Sequence, residues 1–190
     1  MKRILIAVAL VMLLVAVALQ SQTPAPKPGP EQKKLEIWVG DWTYEGENKT
    51  TPLGPAGKFS GKSTVRSILG GFFVEWRGEE KGPNGPLQWA EIDSFDPVNK
   101  KYGWNAFGSD GSISVVTYTI EGNTVSYSGT ITMGDKPYKM RGTAVFATDF
   151  MSFVEKREIS IDGRTWMPTF ESKSIKSKSA PRYWRDTGLA

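Results

Sequence analysis

The residue pair with the most chemical content is Glu155 and Arg157, separated by one lysine in the run Phe153-Val154-Glu155-Lys156-Arg157. Residues two apart on an extended strand share a face. If that face is enclosed, carboxylate and guanidinium must pair or stay hydrated, because an isolated buried charge is strongly penalised. Such a pair reads in two ways: as a polar anchor at one end of an apolar pocket that holds an amphipathic molecule, or as an internal ion pair that only satisfies the fold. Both remain open at this level. A third chemistry is acid–base work. Glu75, Glu91 and Glu155 could converge, and a raised pKa would let one act as acid or base in a hydrolase or isomerase. No spacing demands it, and no residue is assigned a catalytic role.

What the chain lacks narrows the choice. It contains neither cysteine nor histidine. A Ser-His-Asp triad, a Cys-His pair, a histidine-ligated haem and ordinary zinc sites therefore cannot be built from it. No disulfide is possible, so the fold stands on its core. No metal site and no cofactor is assigned. The formal net charge is +4 over 190 residues, too even a balance to imply a nucleic-acid partner.

The elements that must position these residues begin after an atypical leader. Lys2 and Arg3 precede an unbroken apolar run from Ile4 to Leu19, followed by Gln20-Ser21. The run is short of the ~20 residues a spanning helix needs and reads as the core of a secretory signal over 1–21, with Ala16-Val17-Ala18 near the cleavage site. A proline-rich linker over 22–32 follows, then a domain over 33–178 and a tail over 179–190. The expectation is a secreted or periplasmic protein with no stable membrane anchor once the signal is removed. Within the domain, Pro30 to Trp38 suits two helical turns with Leu35 and Trp38 on one face.

Everything after Gly40 has period two. Turn residues recur at Gly70-Gly71, Lys81 to Gly85, Asp96 to Asn99, Asp110-Gly111, Gly122-Asn123, Gly134-Asp135, Thr148-Asp149 and Asp162-Gly163. The segments between them are rich in Thr, Val, Ile, Tyr, Phe and Trp, the mark of consecutive hairpins. The fold class that follows is all-β: a single antiparallel up-and-down β-barrel of about ten strands, with a short N-terminal helix. Closure removes the sheet edges.

Two-residue turns fix register. Asp110-Gly111 taken so sets Asn105 opposite Val116 and Phe107 opposite Ser114. Gly122-Asn123 sets Tyr118 opposite Tyr127 and Val116 opposite Gly129. Gly134-Asp135 sets Tyr138 opposite Ile131 and Met140 opposite Gly129. One face then carries Phe107, Val116, Tyr118, Ile120, Val125, Tyr127, Ile131, Tyr138, Met140, Ala144 and Phe146; the other carries serines, threonines, Lys139 and Arg141. Burial of apolar area, at ~25 cal/mol per Å², places the first face inside. Tyr102, Trp104 and Ala106 fall outside on this reading. Continuing, Ala144 faces Phe153, Gly142 faces Glu155, Ile159 faces Trp166 and Glu155 faces Phe170. Earlier in the chain, apolar matching puts Val74 and Trp76 inside with Ala90 and Ile92; a one-residue shift would turn Glu75, Arg77, Trp89 and Glu91 inward instead.

Several motifs carry a resemblance: Gly40-x-Trp42 after the short helix, Leu69-Gly70-Gly71-Phe72-Phe73-Val74-Glu75, Asp93-Ser94-Phe95-Asp96, Tyr102-Gly103-Trp104-Asn105-Ala106-Phe107, and Asp162-Gly163-Arg164-Thr165-Trp166. The first resembles the lipocalin and calycin pattern, in which the tryptophan packs across the closed end of the barrel. Together, over roughly residues 33 to 175, they resemble the lipocalin-like family catalogued as domain of unknown function 1579. Phe72 departs from that family's Gly-Gly-Arg pattern, and Ser94-Phe95 stands where it favours Gly-Tyr. The resemblance implies the barrel and no reaction. Histidine-bearing relatives with small barrels bind haem; this chain lacks that ligand.

The functional expectation is an exported barrel that binds a small apolar or amphipathic molecule through Trp76, Asn105, Tyr118, Tyr127, Tyr138, Trp166 and Phe170, with Glu155 and Arg157 as polar anchors. The alternatives are a ligand-free interaction module that uses exposed Tyr102 and Trp104, and the carboxylate enzyme above. Sequence does not fix the oligomeric state.

Overall fold

The computed structural model describes residues 26–177. The expected signal segment, the first residues of the linker and the C-terminal tail lie outside the described residues. Pro30–Lys34 forms a single helical turn, α1, with proline in its first turn; the Gln32 side chain accepts a hydrogen bond from the Gly29 N–H at 3.0 Å. It runs into a 3₁₀ turn, Leu35–Ile37, and buries Leu35 and Trp38 as expected. Among the described residues no helix is long and apolar enough to cross a membrane, which says nothing about strands.

Ten strands follow: β1 Gly40–Asn48, β2 Gly57–Ile68, β3 Phe73–Gly82, β4 Gly85–Asp96, β5 Lys101–Gly108, β6 Ile113–Glu121, β7 Thr124–Met133, β8 Lys136–Phe146, β9 Ser152–Ser160 and β10 Met167–Lys176. Each pairs antiparallel with its neighbours in sequence, and β10 returns to β1 with Trp42 opposite Lys176, so the sheet closes as an up-and-down barrel. The helix and 3₁₀ turn plug one end. There Trp38 lies 5.4 Å from Trp76 and 4.8 Å from Phe146 between ring centroids, and Trp42 lies 5.1 Å from Phe153.

Gly40-x-Trp42 belongs to this plug. The Trp42 indole N–H donates to the Trp38 carbonyl at 2.7 Å, and the Lys176 ammonium donates to the Ile37 carbonyl at 2.9 Å while standing 4.7 Å from the Trp42 ring centre. Gly40 has φ of +149°, and a Cβ there would come within 3.0 Å of the Lys176 chain. Glycine lets the first strand leave the 3₁₀ turn with the lysine laid across it.

Register decides what faces the lumen. The turns Gly122-Asn123 and Gly134-Asp135 behave as read: Tyr118 opposes Tyr127, Val116 opposes Gly129, and Ile131 opposes Tyr138. Both glycines have φ of +61°, as the first position of a two-residue hairpin turn requires.

The β5–β6 turn differs. Its loop has three residues, closed by Gly108 N–H to Ser112 carbonyl at 2.9 Å, with Gly111 at φ of +82° in its last position. The odd length slides the register by one, so Trp104 opposes Val116 and Phe107 opposes Ile113. An odd slip turns every side chain over. Tyr102, Trp104 and Ala106 therefore point inward; Asn105 and Phe107 point outward, with Phe107 51% exposed.

The Ala147–Met151 loop between β8 and β9, with Phe150 at φ of +55°, moves that register by two, to Phe146 opposite Phe153 and Gly142 opposite Arg157. An even slip preserves the face, and Glu155 and Arg157 still point inward. A bulge between Pro168 and Phe170 sets Phe170 opposite Arg157 and Ser172 opposite Glu155. On β3 and β4, Val74 and Trp76 face inward as expected, but the two-residue turn between Gly82 and Gly85 sets them opposite Asp93 and Glu91. Trp89, Glu91 and Asp93 are thus inside, and Ala90 and Ile92 are not.

Candidate functional site

The barrel keeps an open interior. Above the plug lies a cavity of about 340 Å³, reached between the loops that carry Thr51, Leu53, Asn84 and Asp110. Ten strands enclose a wider lumen than the eight that side chains can just fill. Glycines widen it further: a Cβ at Gly78 would collide with the Trp89 indole, and one at Gly142 with the Tyr127 phenol. Each glycine is the space its neighbouring ring occupies.

The floor is aromatic and carries one buried acid pair. Trp38, Trp42, Trp76 and Phe153 line it. Asp93, only 2% exposed, accepts a hydrogen bond from the Tyr118 hydroxyl at 2.6 Å through Oδ1. Its Oδ2 meets no partner at hydrogen-bond geometry, although the Glu91 carboxyl and the Trp76 indole N–H stand beside it; that N–H also lacks a partner. Burial pushes Asp93 up to about 6, against the Tyr118 hydrogen bond and the lowering influence of the nearby Glu91 and Trp76 groups. Glu91 rises well above the usual carboxylate range, first through burial and then through Asp93 beside it. Two enclosed carboxyls this close do not readily ionise together.

Halfway up, on β7 and β9, Tyr127, Glu155 and Arg157 form one cluster. The Tyr127 hydroxyl donates to Glu155 Oε1 at 2.6 Å, Arg157 Nη2 donates to the same oxygen at 2.9 Å, and Arg157 Nε donates to the Tyr127 hydroxyl at 3.2 Å. The guanidinium also lies 4.6 Å from the Phe170 ring centre. Burial works against the Arg157 charge, but Tyr127 and Glu155 outweigh it and hold the group firmly protonated; burial raises the Tyr127 phenol. The side chains of Arg157 and Glu155 are 25% and 19% exposed. Across the lumen the Trp89 indole N–H donates to the Tyr44 hydroxyl at 3.1 Å. Glu80 stands near Tyr44; burial raises its pKa, with Arg157 and Tyr44 opposing.

The structure therefore brings Trp76, Tyr127, Glu155, Arg157 and Phe170 to the lumen. Tyr118 supports the floor from behind, bonded to Asp93. Tyr138 is buried on the inward face of β8 but does not line the cavity. Two expected contacts are corrected. Asn105 points outward because of the three-residue turn. Trp166 precedes β10 and lies under the outward guanidinium of Arg141, 4.1 Å from ring centre to Cζ. Tyr102 and Trp104, expected on the surface, are inside, which removes the exposed aromatics on which an interaction module was to rest; Tyr102 stacks on Tyr118 at 5.2 Å. Glu75 points outward and pairs with Arg77.

Sequence reasoning missed Asp93, Glu80, Tyr44 and Phe59 as lumen residues. The alternation Trp89-x-Glu91-x-Asp93 was the available signal for the first.

The model of one family, described as a protein of unknown function (DUF1579), matches residues 27–176. No functionally curated protein is a significant match to the chain. Among the solved structures that match, two share its fold. Rv2717c from M. tuberculosis superposes with a TM-score of 0.57 at 11% identity, covering 79% of this chain and 99% of its own. The S-type phycobiliprotein lyase CPES from Guillardia theta superposes with a TM-score of 0.53 at 12% identity, covering 79% and 94% respectively. At these identities the likeness is one of fold.

Proposed function

The chain belongs to the DUF1579 family, described as of unknown function, and we propose from its interior that it is an exported carrier or receptor of one small amphipathic molecule. The observation that carries this reading is the aromatic-lined, open-ended cavity of about 340 Å³, a volume at the lower end of the ~300–1,000 Å³ usual for ligand sites. A barrel used only as a scaffold has no need to leave its middle unfilled. The apolar body of the ligand would lie against Trp76, Trp89, Trp104 and Phe170. Tyr127, Glu155 and Arg157 would offer hydrogen bonds from one wall. That cluster satisfies itself without a ligand, so it serves the fold first and the ligand second.

Native mass spectrometry of protein purified from its own host tests the proposal. A bound mass that is lost from Ala106→Trp, which fills the lumen from an inward-facing small residue, is the expected result. A homogeneous apo mass, together with no displacement of a neutral naphthalene probe by any amphiphile, would overturn it. Export rests on the N-terminal segment. Recovery of a chain lacking roughly its first 21 residues from periplasm or medium supports it, and a full-length cytosolic chain would count against it.

A further inference from the structure

We infer that the molecule held in the lumen is an amine in its protonated form, and that its ammonium group docks at the Glu91–Asp93 pair beside the paired rings of Trp76 and Trp89; this rests on the reading of the lumen as a binding site. The argument starts from the charges. Within the barrel wall the acidic lining residues are Glu80, Glu91, Asp93 and Glu155, and the basic one is Arg157; Lys49 and Asp110 stand at the rim, one of each sign. Arg157 is already bonded to Glu155 and Tyr127. An anionic ligand finds no free cation within the wall and meets several carboxyls. The chain as a whole is basic, with 24 Lys and Arg against 20 Asp and Glu, so the acidic interior is local and not a reflection of overall charge.

The floor adds two independent signs. Asp93 is nearly fully enclosed, and its Oδ2 has no partner. An enclosed acceptor of this kind is costly to leave unmade, and an ammonium with three donors could serve it and Glu91 together. The surrounding rings are also suited to a cation. Trp76 and Trp89 lie 6.1 Å apart at an interplanar angle of 35°, both lining the cavity, and π faces attract an ammonium most when water is excluded. The unpartnered Trp76 N–H does not reverse the preference, because an anion drawn to it would meet both carboxyls. A metal ion fits less well: among the described residues no three acidic side chains are grouped to hold one. A cation between the two carboxyls removes their mutual repulsion, so binding should grow with pH as the pair ionises. The groups facing the pair are Tyr118 and Trp76, with Glu155 and Arg157 acting across the lumen.

Calorimetric titration of the full chain with phenylbutylamine, phenylbutanol and phenylbutyrate tests this, because the three share one apolar body and differ in the head. Near neutral pH the amine is expected to bind at least about tenfold more tightly than the alcohol, with the acid weakest. The amine's advantage should shrink at about pH 5, where the pair is protonated. Glu91→Gln combined with Asp93→Asn should bring the amine down to the alcohol and leave the alcohol unchanged; each single variant, checked for native circular dichroism, should lose part of the advantage. Alcohol or acid binding as well as the amine, or an amine preference that survives in the folded variants, would overturn the inference while leaving the lumen a binding site. Failure of all three ligands and of a neutral naphthalene probe to bind would remove both.

Discussion

The two ends of the barrel are built from the same residue types and do opposite things with them. At the closed end, four rings of Trp38, Trp42, Phe146 and Phe153 pack at 4.8–6.4 Å, and the Lys176 ammonium beside them is turned to a backbone carbonyl and a ring face. On other strands, β3, β4, β5 and β7, Trp76, Trp89, Trp104 and Tyr127 face a cavity and share it with carboxyls and a guanidinium. Aromatic packing closes the first region because the helical plug supplies the opposing surface. The second has no plug, and its glycines, Gly78 and Gly142, hold space for rings without filling the centre. Stability should therefore concentrate at the plug, and sensitivity to charge should concentrate in the lumen.

The largest expected effect lies in the plug. Trp42→Ala removes a ring that is 2% exposed, its hydrogen bond and its cation contact, and should cost about 3–5 kcal/mol. A fall in midpoint of roughly 10 °C in a thermal melt is the expected reading; a loss of only a degree or two would mean that the plug does not hold the barrel shut.

Next comes the lumen cluster. Arg157→Ala leaves Glu155 enclosed with only Tyr127, and should cost about 1–3 kcal/mol, below the full figure for a buried pair because both side chains keep some contact with the open cavity. The double change Glu155→Gln with Arg157→Met should recover most of that loss, since it removes both charges. Urea midpoints of the parent, Glu155→Gln, Arg157→Met and the double variant form a cycle, and full additivity would show that the two groups do not act as a pair.

Asp93→Asn should have an effect of opposite sign. The carboxyl of Asp93 is raised from 3.8 to about 6 by its surroundings, so the native state binds the proton more tightly than the unfolded chain. Stability from this group is fully present below about pH 4 and is lost as pH rises through about 6. The asparagine has nothing to lose and can still accept from Tyr118. The variant should match the parent near pH 4 and exceed it by on the order of 1–3 kcal/mol near pH 8. Equal stability at both pH values would place Asp93 in a wetter setting than its burial indicates.

How much of this was legible follows from the turns. Gly122-Asn123 and Gly134-Asp135 are two-residue turns in sequence and in space, so β6 to β8 could be aligned by counting, and Tyr118 and Tyr127 fall where expected. Glu155 and Arg157 reached the lumen despite a misjudged loop, because that error was of two residues and an even slip keeps the face. Ser109-Asp110-Gly111 looks like a two-residue turn with a flanking serine, but its backbone uses three, and that single residue exchanged Trp104 for Asn105. The acid pair was hidden for a different reason. Apolar matching assumes that the inward face is the greasier one, and on β4 it is not: Ala90 and Ile92 are outside while Glu91 and Asp93 are inside. A site that breaks the pattern in order to hold charge defeats the rule that finds cores.

The smallest expected effect is also the sharpest test of that register. On the outward face of β5, Phe107 is 51% exposed and sits opposite Ile113, itself half-exposed. Phe107→Ser should change stability by no more than about 0.5 kcal/mol, as surface changes do. Trp104→Ala, three residues away and lining the cavity against Tyr127 at 4.9 Å, should enlarge the lumen and weaken a bound amphiphile. If β5 were turned by one residue the two outcomes would change places: Phe107→Ser would carry the cost of an opened core and Trp104→Ala would be silent. Melting curves of the two variants, with a naphthalene probe for the lumen, therefore read the orientation of β5 directly, since only one of its two faces can produce both results.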